Sequence, residues 1–244
     1  MAATMAVHAI GGKEKNGKGS GESVRLLAIQ ASGVGEGVAA AIDRNVLAEL
    51  KLDDQVRSAQ SLAPAIKSLL EGVGWRPADV QLVAVTVGPG SFTGLRVGVT
   101  TAKTFAYCVG AQIVGVDTLQ TIAEGVAQRQ AAGSPGLEAV EVLETAVDAQ
   151  RGQVVAQRFR RGPDGHFVAA ACAQLLDSEA WVKQLAPATF VAGPVLRSLC
   201  AKISGHVHVL PAEYWSPTAA GVVRVAMRSY EAGPVSYTHL TLPT

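Results

Sequence analysis

The sequence predicts an α/β fold, with mixed sheets flanked by helices and divided into two domains, and three observations predict it. Short apolar runs bounded by Gly, Pro or charge alternate with longer stretches of helical period. From residue 25 the elements run β-β-β-α-β-α-β-α. After a Gly/Pro loop at 131–136 a second, looser series of strands and helices begins. The 244 residues are 48% hydrophobic, enough for a real core, and their 26 glycines imply many tight turns.

In order, residues 25–30 read as a strand, 33–37 as a turn, and 38–42 and 46–52 as two further strands. Residues 59–73 form an amphipathic helix with Leu62, Ile66, Leu69 and Leu70 on one face. A buried strand at 80–87 runs through a Gly-Pro-Gly turn into a helix at 93–109. A strand at 112–116 precedes a helix at 118–128, with Thr118 as its N-cap. In the second half, strands at 140–146 and 153–159 flank a turn at 148–152, and 166–175 is a third strand. Helices at 178–185, 194–203 and 218–231 enclose short strands at 189–192 and 207–210. The last helical period stops at Gly233-Pro234, a pair that ends helices. The domains are therefore read as 24–130 and 137–233. Residues 1–23 read as a disordered Gly/Lys-rich extension, and 234–244 as a disordered or non-native tail.

Charge and composition narrow the function classes. A net charge of +1 gives no basic field for direct nucleic-acid binding, so any service to RNA runs through a partner. Cys108, Cys172 and Cys200 lie far apart in apolar runs without a C-x-x-C pair, which predicts buried thiols in a reducing compartment. Apolar stretches are interrupted well short of the ~20 residues of a membrane span. The first 23 residues lack the apolar core of a signal peptide, so the reading is cytoplasmic.

The most informative stretch is Val87 to Gly98. A strand–turn–helix junction aims backbone N–H groups and a helix dipole at one spot, which suits an anion. It is not a P-loop, because Gly94 is followed by Leu95 and Arg96 rather than Lys and a hydroxyl residue. It is not a dinucleotide fingerprint either, because the sixth position counted from Gly88 is Thr93. Ser91 and Thr93 read as caps of the following helix. Ser91 has no His or Lys base in context, so no nucleophile is assigned. On that helix Gly94, Gly98, Ala102 and Ala106 recur every four residues as a nearly bare stripe. Two interior glycines cost roughly 1 kcal/mol each relative to Ala, so a close approach is the natural compensation. The approaching group is either this domain's own sheet or a partner helix.

Other polar residues carry less. Asp148 and Arg151 read as a turn-capping carboxylate and its paired cation. Asp117 stands at a helix start, where a carboxylate suits the dipole. His206 and His208 alternate on one strand face, read as a solvated edge rather than a metal site.

The run Gly88-Pro89-Gly90-Ser91-Phe92-Thr93-Gly94-Leu95-Arg96-Val97-Gly98 resembles the GPGSFTGLR-I/V-G signature of the TsaB family. That family comprises the dimerisation subunits of the bacterial machinery that makes threonylcarbamoyladenosine in tRNA. Ser61 to Ile66 resembles its LLP-x-I helix, Gly115 to Leu119 its G-V-S/D-T-L segment, and Asp148 to Val154 its D-A-R-x-G-E-V turn. The resemblance implies two actin-like (ribonuclease H-like) domains and a non-catalytic subunit that docks and supports a TsaD-type transferase. It implies partner contact through the second helix, at Gly94, Gly98, Thr101, Ala102 and Phe105, and pairing with itself when alone. A TsaE-type ATPase is a further implied partner, and tRNA is met only indirectly. ATP and metal are expected in the TsaD partner, with no cofactor or metal assigned to this chain. Gln30 stands where nucleotide-using relatives carry a metal-site Asp, and no His-x-x-x-His pair exists. Ser58 stands where family members commonly carry His. Two alternatives are weighed against this reading. One is an ATP-binding or M22-type metallopeptidase-like enzyme of the same superfamily. The other is a scaffold protein that has drifted from the family's task.

Overall fold

The computed structural model describes residues 23–53, 58–203 and 205–233. Two sheets carry the chain. In the first, β1 (Arg25–Gln30) is antiparallel to β2 (Gly37–Ile42), which is antiparallel to β3 (Asn45–Lys51). On its other edge β1 runs parallel to β4 (Leu82–Gly88), and β4 parallel to β5 (Gln112–Asp117), for an order β3-β2-β1-β4-β5. Helices α1 (Ser58–Gly72) and α2 (Phe92–Val109) cover one face, packing on Leu27, Ile29, Val83 and Val85. The opposite face, with Leu26, Ala28, Leu82 and Ala84, also lies in a buried cluster. Burial on both faces is why β1 and β4 read as near-continuous apolar runs rather than alternating ones.

The second half is a six-stranded sheet, β11-β10-β6-β7-β8, with β9 also paired to β7. Its strands are β6 (Val142–Asp148), β7 (Gln153–Arg161), β8 (Phe167–Ala169), β9 (Gln174–Asp177), β10 (Phe190–Ala192) and β11 (His208–Val209). Helix α3 (Thr118–Ala131) buries Leu119, Ile122 and Val126 against Leu143, Phe159 and Phe167 of this sheet. Helices α4 (Ser178–Gln184) and α5 (Leu196–Leu199) bury Trp181 and Leu196 on its other face with Ala146, Val154 and Val191.

The last helix, α6 (Ala219–Glu231), departs from the sequence order. Expected with the second half, it returns to the first sheet and packs Val222, Val223 and Ala226 on Leu26, Ala28, Ala39 and Ala41. The run of alanines on β1 and β2 leaves the depth that a helix needs there. On the way α6 crosses α3 closely: a Cβ at Gly221 would stand 2.9 Å from Thr121 Cγ2. The seam between the two helices is polar. The Glu124 carboxylate, 2% exposed, is bonded by Arg228 of α6 and lies 3.1 Å from Nδ1 of His166. Burial holds the neighbouring Arg224 guanidinium below its ordinary range, although Glu124 opposes that shift.

Other expectations need correction. The strand expected at 166–175 is split into β8 and β9, because each pairs a different stretch of β7. Between them the chain bulges, and Gln157 Nε2 donates to Ala171 O at 2.9 Å. The helix expected at 194–203 is α5 followed by a 3-10 turn over Cys200–Lys202. Cys108, Cys172 and Cys200 are exposed rather than buried, Cys172 in the loop between β8 and β9. Among the described residues no helix is long and apolar enough to cross a membrane. The readings made for residues 1–22 and 234–244, and for the side chain of Ser58, lie outside the described residues.

Candidate functional site: the signature turn and the outer face of α2

The Gly88–Ser91 turn is laid against the end of β1. Gly88 adopts φ +122°, and the Gly88-Pro89 peptide is cis. Ser91 N donates to Ser32 O at 2.8 Å, which brings the turn so close that a Cβ at Gly90 would overlap Ser32 O. Ser91 Oγ accepts from Gly94 N at 3.2 Å and is the N-cap of α2. Thr93, expected to share that task, lies exposed within the first turn.

Gln30 explains what this junction has become. Its side chain is fully buried. Its Oε1 accepts from Ser32 N at 2.6 Å and from Ser32 Oγ at 3.2 Å, while Nε2 donates to Val34 O at 3.1 Å. One amide thereby closes the loop after β1 from both ends, using a donor that a carboxylate lacks. The residues around it do not fit a metal-bound phosphate group. The cleft between the two halves has a volume of about 330 Å³ and is lined by Ser32, Ser91, Thr118, Asp148, Gln150 and Arg197, among others. Arg197 is the one cation among its described lining residues. No group of three or more His, Cys, Asp and Glu side chains able to hold a metal ion stands together among the described residues.

The remaining polar candidates fall into structural places. Asp117, rather than Thr118, caps α3, its Oδ1 accepting from Gln120 N at 2.8 Å. Burial pushes the Asp117 carboxyl above the usual carboxylate range, although the N–H groups of Gln120 and Leu119 oppose that. Asp148 Oδ1 accepts from Gln150 N at 2.8 Å, so Gln150 takes the place expected of Arg151. The left-handed backbone of Gln150 and Arg151, at φ 67° and 54°, folds the amide of Gln150 back onto the carboxylate. His208 stacks on Phe190 with ring centroids 4.7 Å apart, and His206 lies before β11 rather than on it.

The bare stripe of α2 points inward. Gly94, Gly98, Ala102 and Ala106 are all buried. A Cβ at Gly94 would stand 2.5 Å from Ala31 O, and one at Gly98 would stand 2.6 Å from Ala31 Cβ. The close approach that compensates the two glycines is made by this chain's own β1, so Gly94, Gly98 and Ala102 are not surface residues for a partner. Helical period told which residues share the face, and the sheet claimed it. Thr101 and Phe105, the other two residues of the expected interface, are half-buried and line a groove between α1 and α2.

That groove has a volume of about 730 Å³ and is lined chiefly by apolar groups, among them Ile66, Leu70, Trp75 and Phe105. The contribution of α1 went unseen in the sequence because Ile66 and Leu70 were read only as core. Two of the four exposed large hydrophobic side chains among the described residues stand on α2, Phe92 at 54% and Tyr107 at 90% exposure. The Arg96 guanidinium lies 4.8 Å from the Phe92 ring centroid.

The arrangement is a two-sheet α/β fold in which an amide closes the loop after β1 and the first sheet presents an open, apolar two-helix face. A family model described as TsaD, tRNA N6-adenosine threonylcarbamoyltransferase, matches residues 54–204. The tRNA threonylcarbamoyladenosine biosynthesis protein TsaB of Bacillus subtilis is 36% identical over 133 residues, 53% of this chain and 52% of that protein. The TsaB of Escherichia coli is 31% identical over 142 residues, 58% of each. The aligned region thus spans about half the length of the curated relatives. YeaZ from Pseudomonas aeruginosa superposes with a TM-score of 0.72 at 22% identity, over 86% of this chain and 93% of that one, and so shares the fold. The chain belongs to the TsaD family, in its TsaB branch.

Proposed function

We propose that this chain is a non-catalytic partner subunit of the machinery that forms threonylcarbamoyladenosine in tRNA, docking and supporting a TsaD-type transferase. The observation that carries the reading is the apolar groove between α1 and α2, lined by Ile66, Leu70, Trp75, Thr101 and Phe105. An open apolar face of this kind marks an interaction site more often than a solvated surface. The membership of the TsaB branch supports the identity of the partner. Gln30, fastened by both ends of its amide, supports the absence of phosphoryl transfer on this chain. In this reading ATP and metal belong to the TsaD partner, and a TsaE-type ATPase joins the assembly. tRNA is met only through those subunits, the same helical face pairs two copies of this chain when it is alone, and the assembly works in the cytoplasm.

The test is to titrate the purified chain against the purified TsaD-type subunit of the same organism and follow binding calorimetrically. A 1:1 complex is expected, lost when Phe105→Glu places a charge in the groove. The isolated chain is expected to turn over no ATP. Failure to bind, or steady ATP hydrolysis by the isolated chain that is lost on altering Ser32, would overturn the reading.

A further inference from the structure

The polar seam between α3 and α6 joins the two halves of the molecule. Helix α6 lies on the first sheet through Val222, Val223 and Ala226, while α3 lies on the second through Leu119, Ile122 and Val126. Charge ties the two helices to each other. Glu124 of α3 is buried, and its Oε2 is bonded by Arg228 Nη2 of α6. His166, in the turn that enters β8, reaches the same place from the second sheet.

His166 stands between two groups that ask opposite things of it. Its Nδ1 lies 3.1 and 3.2 Å from the two oxygens of Glu124, which only accept, and 2.9 Å from Arg228 Nη2, which only donates. One ring nitrogen satisfies one of these at a time. Without a proton, Nδ1 accepts from Arg228, the shortest of the three contacts, and the guanidinium then bonds Glu124 and His166 together. With a proton, Nδ1 donates to Glu124 and faces Arg228 Nη2 as donor against donor. The ring is only 30% exposed, so repulsion between imidazolium and guanidinium is weakly screened.

The surrounding charges sharpen the conflict. Arg224, one turn before Arg228 on α6, is half-buried, and burial already holds its guanidinium below the ordinary range. Arg161, at the end of β7, brings Nη2 to 3.6 Å from the place of a Cβ on Gly165 in the same turn. Asp164 opposes these cations, accepting from His166 N at 3.1 Å, but it is exposed and its effect is screened by water. A protonated His166 therefore crowds with Arg224 and Arg228 around one buried carboxylate. The turn that carries His166 is pinned to α3, because Gln120 Nε2 donates to Phe167 O at 2.8 Å. The element left to yield is α6.

We propose that His166 is a proton-operated latch on the seam between the two halves: unprotonated, it holds Arg228 and with it α6 against α3, and protonated, it takes the Glu124 carboxylate for itself and releases Arg228. Acid then frees the polar side of α6 while its apolar side stays on the first sheet, so the halves gain freedom to turn about the α3–α6 contact. A histidine that exchanges partners as it gains a proton is a common form of pH sensor.

The experiment is amide hydrogen exchange on the full chain, read by mass spectrometry at about pH 5.5 and about pH 7.5, within which range histidine ordinarily changes charge. Rates are corrected for the intrinsic pH dependence of exchange and expressed relative to β1, which removes any global effect of acid. In the wild-type chain α6 is expected to exchange about tenfold faster at the lower pH, as a locally opened element does. In His166→Asn the amide oxygen takes the place of Nδ1 and carries no proton, so α6 is expected to exchange at the slow rate at both pH values. In Arg228→Gln the latch has nothing to hold, so α6 is expected to exchange at the fast rate at both. Circular dichroism checks that each variant is folded, and His166→Asn decides the matter alone if Arg228→Gln is not. A wild-type α6 with the same relative rate at both pH values overturns the proposal, as does a pH dependence that survives in His166→Asn. A His166→Asn chain that exchanges fast at both pH values also overturns it, since that is the result of a ring serving only as a structural contact.

Discussion

Gly98→Ala tests whether α2 is pressed onto the chain's own sheet. The new methyl carbon would stand 2.6 Å from Ala31 Cβ, with Val85 Cγ2 at 3.6 Å. Non-bonded carbons rest at about 3.5–4.0 Å, so α2 and β1 must part by roughly 1 Å at this point. The separation loosens the neighbouring contacts of Val99 and Ala102 in the same cluster. Overpacking of this kind costs about 1–3 kcal/mol, and the better helix propensity of Ala returns about 1 kcal/mol. The net loss is then about 0–2 kcal/mol, which lowers the midpoint of a chain this size by up to roughly 8 °C. Thermal unfolding by circular dichroism measures it. A cycle with Ala31→Gly isolates the clash, because removing the opposing methyl should recover about 1 kcal/mol of the loss beyond additivity. A midpoint raised in Gly98→Ala, or a cycle that closes with no coupling, would refute the packing argument. It would return the stripe to the list of surfaces available to a partner.

Two further outcomes follow from the carboxylates of Glu124, which is buried, and Asp117, which is half-buried. Glu124→Gln removes the charge that Arg228 and His166 share across the α3–α6 seam, and guanidinium unfolding should show a loss of about 2–4 kcal/mol, below that of a fully buried pair because Arg228 is 30% exposed. Asp117 has a carboxyl raised by burial, so the folded state holds its proton at pH values where the unfolded chain has released it. Its contribution to stability is therefore full below the unfolded carboxylate range and is lost as pH rises through the folded value. Asp117→Asn keeps an oxygen to cap α3, so its melting point should rise relative to wild type between acid and neutral pH and match it at the acid end.

Much of the first sheet was legible in the chain. The strand at 25–30 has the bounds read from its apolar run, and Leu62, Ile66, Leu69 and Leu70 are indeed buried on one face of α1. The signature turn was also legible, because Gly, Pro and Ser at fixed offsets specify a tight turn and a cap. Of the site, Gln30 could be read as a lost carboxylate, but its amide closure of the following loop could not. That closure depends on Ser32 and Val34 folding back over it. The groove was half legible: Thr101 and Phe105 were named, while Trp75 and the α1 side were not.

What the sequence by itself determined is which residues share a face, since a period of 3.6 or 2 is a local property of the backbone. What a face meets is not local. The spacing of Gly94, Gly98, Ala102 and Ala106 suits a sheet or a partner equally, and only the position of Ala31, more than sixty residues earlier, decided for the sheet. In the same way, nothing in 218–231 tells that its apolar side returns to β1 and β2, because the alanines that receive it lie at the other end of the chain. The exposure of Phe92 and Arg96 was decided last of all. It follows from the inward face being taken by the chain's own sheet, which leaves the outer stripe of α2 exposed.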